Sequence, residues 1–293
     1  MIRPAHQICF FSGALLTLAA PAAEIRVAGS DMLGDSFTRA VAEYARQNDT
    51  VVKLDLRGTR PGLADLLAGR ADLGLFLLPA GEPPPGDPQV SRVIACQVAV
   101  VVVPVGSPLR QVTTAQLRGL FALAAGDAFS RWGELNLIGE WTSRSIALRA
   151  LSPSAGLAFP VFQRVILSDG EAKSTVEFSA TPEAFTQRLL AAENAIGVTG
   201  APAAEEAGLR VLSLAASPTD PAYAPTAENV HSGGYPLRMP LYVTFPRRAA
   251  PALQLFLKFL LSDEAAAALA PAHFVPLPLG ARNQLVFELE EMR

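Results

Sequence analysis

Apolar residues along the chain change repeatedly between two spacings, and each change marks a strand or a helix. Residues 25–27 and 52–56 alternate apolar and polar positions, as half-buried strands do. Between them the apolar residues recur every three or four positions, at Leu33, Phe37, Val41 and Tyr44. This spacing predicts an amphipathic helix, and Ser30 or Asp31 can cap its start.

The same alternation continues along the chain. Residues 63–67 predict a short helix closed by Gly69, and "ADLGLFLL" predicts a third strand. This β-α-β-α-β order is typical of a mostly parallel sheet with helices on both faces. The β-branched run of residues 93–103 predicts a strand buried on both faces, and a second βα series follows over residues 113–211.

Two long apolar segments lie before and after the second βα series, the run of residues 93–103 and "HSGGYPLRMPLYVTF". Each would carry the chain from one lobe to the other. We therefore expect an α/β protein of two lobes joined by a two-strand hinge. Lobe one comprises residues 23–103 plus 231–293, and lobe two comprises residues 104–230. Ligands of such sheets bind outside the carboxyl ends of the strands, near helix N-termini, so the cleft between the lobes is the expected site.

The N-terminus has a different pattern. Arg3 and His6 precede an apolar stretch that ends in the small residues of "LAAPAAE". This pattern predicts a secretory signal peptide over residues 1–22, with cleavage after Ala20, Ala22 or Ala23, and hence a periplasmic or secreted protein. A buried first helix is the alternative.

Composition excludes several classes of function. Lys and Arg number 24 against 27 Asp and Glu, without a basic run, which argues against a nucleic-acid partner. Cys96 is the only cysteine after the signal, so no internal disulfide forms. His231 and His273 lack metal-ligand spacing, and we expect no metal, no cofactor and no enzymatic activity. Residues 253–261 are apolar but contain Lys258, which favours a core helix over a membrane span.

Six segments together carry a family resemblance: "VAGSDML", "RGTRPGLADLLAGRADLG", "VPVGSPLRQVTTAQLRGLFA", "AIGVTG", "APTAENVHSGGYPLRMPLYVTF" and "LLSDEAAAALAPAHFVPLP". In these segments and their order the chain resembles the phosphate-type solute-binding proteins of bacterial ABC importers, which have the type 2 periplasmic binding protein fold. The resemblance implies a monomer that captures a small oxyanion, with phosphate expected, and delivers it to an ABC permease of the inner membrane.

The resemblance also implies a set of phosphate-binding residues: Ser30, Asp31, Thr59, Asp72, Arg149, Ser152 and Ser154. Hydroxyls and backbone N–H groups at helix starts donate to the anion, and the planar guanidinium of Arg149 suits a pair of its oxygens. Asp72 would accept a hydrogen bond from protonated phosphate, which sulfate cannot donate. The arginine that the family places after this acid is absent here.

The loop after Arg149 departs from the family's Ser-Gly-Thr at a helix start. Counting forward from Arg149 aligns that triplet with residues 153–155, and counting back from Phe162 aligns it with residues 156–158. Because Pro160 has no N–H, the helix should begin near residues 157–159 or kink at Pro160. The side-chain donors are then reduced to Ser152 and Ser154, which weakens the expected phosphate site.

Two other functions stay open at this point. An exported module of the same fold, with a degenerate site, can sense an oxyanion or bind a partner without transport. A hydrolytic enzyme would need a histidine or paired carboxylates in the cleft.

Overall fold

The computed structural model describes residues 24–79, 81–126, 128–200 and 208–292. The predicted signal peptide and its cleavage sites lie outside the described residues.

Strands and helices alternate along both halves of the chain. The strands are β1 Glu24–Gly29, β2 Val51–Asp55, β3 Leu73–Leu77, β4 Gln89–Pro104, β5 Gln111–Thr113, β6 Ala147–Leu151, β7 Glu177–Ser179, β8 Ala195–Gly200, β9 Leu209–Val211, β10 Ser213–Ala215, β11 Arg238–Pro246 and β12 Phe274–Pro276. The α-helices are α1 Gly34–Gln47, α2 Thr59–Leu67, α3 Thr114–Phe121, α4 Ala158–Ile166, α5 Pro182–Leu190, α6 Ala227–Ser232, α7 Ala250–Leu260, α8 Asp263–Leu269 and α9 Leu279–Glu291.

Each lobe contains a group of parallel strands. In lobe one, β1 lies between β2 and β3 and runs parallel to both, and β11 joins β3 to β4 in antiparallel pairing. In lobe two, β6 lies between β7 and β8 and runs parallel to both, and β8 pairs antiparallel with β4. The prediction of a two-lobed α/β fold is confirmed.

The long strand β4 belongs to both lobes. Its first part pairs with β11, from Gln89 to Val98, and its last part pairs with β8 and β9, from Ala99 to Pro104. The returning chain crosses beside it: the Ala99 N–H donates to the Leu237 carbonyl at 3.0 Å. The Tyr235 hydroxyl donates to the Ala99 carbonyl at 2.9 Å. Two adjacent segments of chain therefore form the connection between the lobes.

Each lobe has its own hydrophobic core. The chain passes from the first core to the second between Ala95 and Cys96 and returns between Leu237 and Leu241. The first core includes apolar residues of α1 and α7, as their spacing predicts, and the second includes residues of α3, α4 and α5. In the described ranges, no helix has the length and hydropathy needed to span a membrane.

Candidate functional site

Three loops meet at one edge of the lobe-one sheet, where the parallel strands β1, β2 and β3 end. The Gly58 N–H donates to the Gly29 carbonyl at 2.8 Å, and the Ser30 N–H donates to the Leu75 carbonyl at 2.9 Å. The Leu77 N–H donates to Thr59 Oγ1 at 3.1 Å. These bonds bring Ser30 and Thr59 to the same edge.

Gly62 permits this close approach. A Cβ added there would lie 2.7 Å from the Gly29 nitrogen, a separation that real Cβ atoms do not adopt. The first turn of α2 therefore packs directly on the end of β1. No side chain at this position can be accommodated without moving one of the two elements.

Ser30 and Thr59 each keep a hydroxyl hydrogen available to donate. Ser30 is buried and its Oγ accepts the Met32 N–H at 3.2 Å, which caps the short 3₁₀ turn Asp31–Leu33. As both hydroxyl oxygens accept backbone N–H groups, each O–H can donate elsewhere. Asp31 follows at the exposed surface.

A cation also lies in the first turn of α2, which sequence reasoning missed. The guanidinium of Arg60 forms an ion pair with Glu82 at 2.9 Å, and Glu82 follows the end of β3. The loop after β3 contributes no polar side chain before Glu82, because residues 78–81 are leucine, proline, alanine and glycine. Its position beside Thr59 at the start of a helix, where anions are favoured, could have indicated Arg60 from the sequence.

Asp72 does not join this group. It precedes β3 and lies at the amino edge of the sheet, where its carboxylate accepts hydrogen bonds from Arg26 Nη2 at 2.6 Å and Nε at 3.0 Å. The Arg26 N–H adds a third at 2.9 Å. These bonds hold the pKa of Asp72 below its usual range. Arg26 precedes Ser30 by four residues on β1, which separates the two by roughly 13 Å along the strand.

Lobe two presents a matching edge where β6 and β7 end. The Ser152 N–H donates to the Ser179 carbonyl at 2.8 Å, and the hydroxyls of Ser152 and Ser154 lie 2.8 Å apart. The α4 helix then begins at Ala158, within the predicted range, and its first bond runs from the Val161 N–H to the Leu157 carbonyl at 2.8 Å. The backbone N–H groups before Pro160 have no partner within the helix.

Arg149 lies on β6, three residues before Ser152, and its side chain is only 13% exposed. Its Nη1 contacts the Glu177 carboxylate at 3.0 Å and donates to the Leu148 carbonyl at 3.1 Å. Its Nε is buried with no hydrogen-bond partner among the described residues. The guanidinium is thus oriented by one carboxylate and still has donors to offer.

Ser179 is a second site residue that sequence reasoning missed. It pairs with Leu151 in the β6–β7 register, two residues beyond the Arg149–Glu177 pair, so its side chain shares a sheet face with Arg149. The residue is 2% exposed, and its hydroxyl is buried without a hydrogen-bond partner in the described chain. The sequence "SATPE" could have indicated it, because Ser179 ends β7 and Thr181 caps the start of α5.

Leu157 connects the two edges. It precedes α4 and packs against the cores of both lobes. The start of α4 therefore lies where the lobes meet. The structure brings Ser30 and Thr59 together on one side, and Ser152 and Ser154 on the other, with Arg149 three residues before Ser152 on β6.

The histidines lie elsewhere. His231 is in the last turn of α6, and the ring of His273 packs so closely on Gly200 that a Cβ there would lie 2.5 Å from it. Within the described ranges, no three His, Cys, Asp or Glu side chains are grouped to hold a metal ion. Burial raises the pKa of the Cys96 thiol, which keeps it protonated in the core.

Comparison with known proteins identifies the family and the fold. A sequence model of the PBP superfamily domain matches residues 17–264. No curated protein matches the chain.

Several solved structures share the fold. A possible phosphate binding protein from Planctomyces limnophilus has 20% identity and a TM-score of 0.68 over 92% of this chain and 99% of its own. PstS from Borrelia burgdorferi has 14% identity and a TM-score of 0.71, over 87% and 99%. An ABC-type phosphate transport receptor from Vibrio cholerae has 17% identity and a TM-score of 0.64, over 87% and 100%. At these identities the likeness is one of fold.

Proposed function

This chain belongs to the PBP superfamily, and from that premise we propose that it is an exported solute-binding protein that holds a small oxyanion, with phosphate expected, between its lobes. Donors at three strand ends and at the start of α4 support the proposal. They are backbone N–H groups, the hydroxyls of Ser30 and Thr59, and the guanidinium of Arg149. Donors of this kind bind tetrahedral anions in proteins.

One observation carries the proposal: Leu157 packs against both cores. It brings the start of α4 to the core of lobe one, and in the proposed site the N–H groups of α4 face Ser30 and Thr59. An anion between these edges would contact both lobes, and its binding would favour their closed arrangement.

We extend the proposal to transport. The solved structure from Vibrio cholerae is named as a receptor for phosphate transport, which supports delivery by this chain, as a monomer, to an ABC permease. A catalytic role is not part of the proposal. The hydroxyls of Ser30 and Thr59 accept backbone N–H groups, and in the described parts of the chain neither hydroxyl contacts a histidine or a carboxylate that could act as a base.

Selectivity should be lower than the resemblance implies. Asp72 was the residue expected to accept a hydrogen bond from protonated phosphate, and its carboxylate pairs with Arg26 at the far edge of the sheet. Asp72 therefore cannot disfavour sulfate in the oxyanion site. We expect phosphate and sulfate to bind within about one order of magnitude of each other, a difference of roughly 1.4 kcal/mol.

Calorimetry on the mature protein, stripped of bound anion, tests the proposal with phosphate, arsenate, sulfate and molybdate. Arg149→Ala should weaken binding of each anion strongly, because charge-assisted hydrogen bonds are lost. Arg164→Ala is the matched control, since Arg164 lies exposed on α4 with its nearest carboxylate 3.9 Å away. Equal affinities for the two variants would refute the site.

The non-transport module is the second candidate. The apolar loop of Leu77 and Leu78 and the apolar start of α4 favour it, because they reduce the number of side-chain donors. Absence of binding by all four anions at millimolar concentration would replace the transport proposal with this one.

A further inference from the structure

A cavity of about 620 Å³ opens at the amino edge of the lobe-one sheet, away from the oxyanion site. It lies between the end of α2, the start of β4 and the turn that precedes α7. Most of its wall is apolar, formed by Leu66, Ala71, Pro88, Pro246 and Ala249. Its volume and its apolar lining match those of small-molecule sites in proteins.

One polar side chain lies in this apolar part of the wall. Gln89 lines the cavity, but its Oε1 is fully buried within the protein and cannot accept a hydrogen bond from a molecule bound there.

Arginine side chains supply positive charge at the same cavity. Arg247 and Arg248 are exposed, and no carboxylate of the described chain lies within 4 Å of either guanidinium. Arg26 also lines the wall, but Asp72 neutralises it. Asp87 is the remaining carboxylate of the lining, so the guanidiniums outnumber the carboxylates and the rim favours an anion.

We propose that this cavity binds a small organic anion with an apolar body. The apolar body lies against Leu66 and Pro246. The acid group pairs with Arg247 and Arg248 at the rim. This second site is independent of the oxyanion proposal, because it shares none of its residues.

The fluorescent probe 8-anilinonaphthalene-1-sulfonate tests the proposal, as it combines a sulfonate with apolar rings. Titration of the full mature protein should give one bound probe per chain. The variant R247A/R248A should bind it at least tenfold more weakly. Ala249→Trp should fill the cavity and abolish binding.

The control is R39A/R110A, which removes two exposed arginines from other surfaces and the same net charge. It should leave probe affinity unchanged, and saturating phosphate should not displace the probe. Unchanged affinity in both R247A/R248A and Ala249→Trp would overturn the proposal. Displacement by phosphate would overturn it too, since the probe would then occupy the interlobe site. Circular dichroism verifies that each variant is folded.

Discussion

The two walls of the candidate site hold their polar groups differently. In lobe one, the oxygens of Ser30 and Thr59 already accept backbone N–H groups, at 3.2 and 3.1 Å. In lobe two, Arg149 Nε and Ser179 Oγ are buried without partners among the described residues. The hydroxyl oxygens of the first wall already have donors without a ligand, whereas the second wall has buried polar atoms that lack a partner among the described residues.

Because of this difference, we expect lobe one to contribute mainly to the stability of the fold and lobe two mainly to the affinity for the anion. Bonds made within lobe one contribute to folding whether or not an anion is present. Unpaired buried groups in lobe two cost free energy until a partner arrives, so a bound anion or an ordered water would recover that cost. Changes in lobe one should therefore appear first in unfolding, and changes in lobe two should appear first in binding.

The largest expected effect is on lobe one. Gly62→Ala places a Cβ 2.7 Å from backbone that cannot move without shifting β1 or α2. We expect a loss of about 3 kcal/mol in the free energy of unfolding, measured by urea denaturation, because the clash is with backbone atoms. Gly106→Ala is the control, because a Cβ there meets nothing within 4 Å. Equal stability of the two variants would show that the first turn of α2 is not fixed on β1.

The next effect concerns Arg149. Arg149→Lys keeps the charge but loses the planar fork and the buried Nε donor, so we expect phosphate affinity to fall by about 1.5–3 kcal/mol, or roughly 10- to 150-fold. Unfolding should change less than binding does. Calorimetry and urea denaturation on the same samples measure both, and a larger change in unfolding than in binding would contradict the division between the walls.

A smaller effect is expected for Ser179. Ser179→Ala removes a hydroxyl that has no partner in the described chain, so it should weaken phosphate binding by about 1 kcal/mol without lowering the free energy of unfolding. Ser30→Ala is the matched comparison in lobe one. It loses a cap and should cost about 0.5–2 kcal/mol of stability. If Ser179→Ala destabilises the protein as much as Ser30→Ala does, the hydroxyl is structural.

Sequence reasoning was effective where periodicity or a hard steric rule decides the structure. The three- and four-residue spacing predicted α1, and Pro160 limited the start of α4 because proline has no N–H to give inside a helix. Ser179 was missed because β7 has only three residues, too few for an alternating pattern to be visible.

The position of Asp72 could not be read from its motif. The letters "ADLG" do not say whether the acid precedes or follows the strand. The structure begins β3 at Leu73, so Asp72 lies at the amino edge, where Arg26 of the neighbouring strand is its partner. The two ends of a strand lie at opposite edges of the sheet, and only the pairing of β3 with β1 shows at which edge Asp72 lies.

The smallest expected effect tests that position directly. Because Arg26 lowers the pKa of Asp72, the ionised carboxylate stabilises the folded state above the unfolded pKa of about 3.9. That contribution is lost as the pH falls through the lower pKa of Asp72 in the folded state. The side chain is 32% exposed, so screening limits the contribution to under about 1 kcal/mol. Asp72→Asn should thus lower stability slightly at neutral pH and flatten its dependence on pH in acid, whereas Asp220→Asn, at an exposed position, should change neither.

Anion binding by Asp72→Asn decides whether Asp72 contacts the anion or only stabilises the fold. Held at the amino edge by three hydrogen bonds from Arg26, the carboxylate is roughly 13 Å along β1 from Ser30 and cannot contact an anion there. Phosphate affinity and its ratio to sulfate affinity should therefore be unchanged in Asp72→Asn at neutral pH. A fall in that ratio would return Asp72 to the site and would require lobe one to rearrange on binding. An unchanged ratio, with the altered acid stability, would assign Asp72 to the fold and leave selectivity to the donors of lobe two.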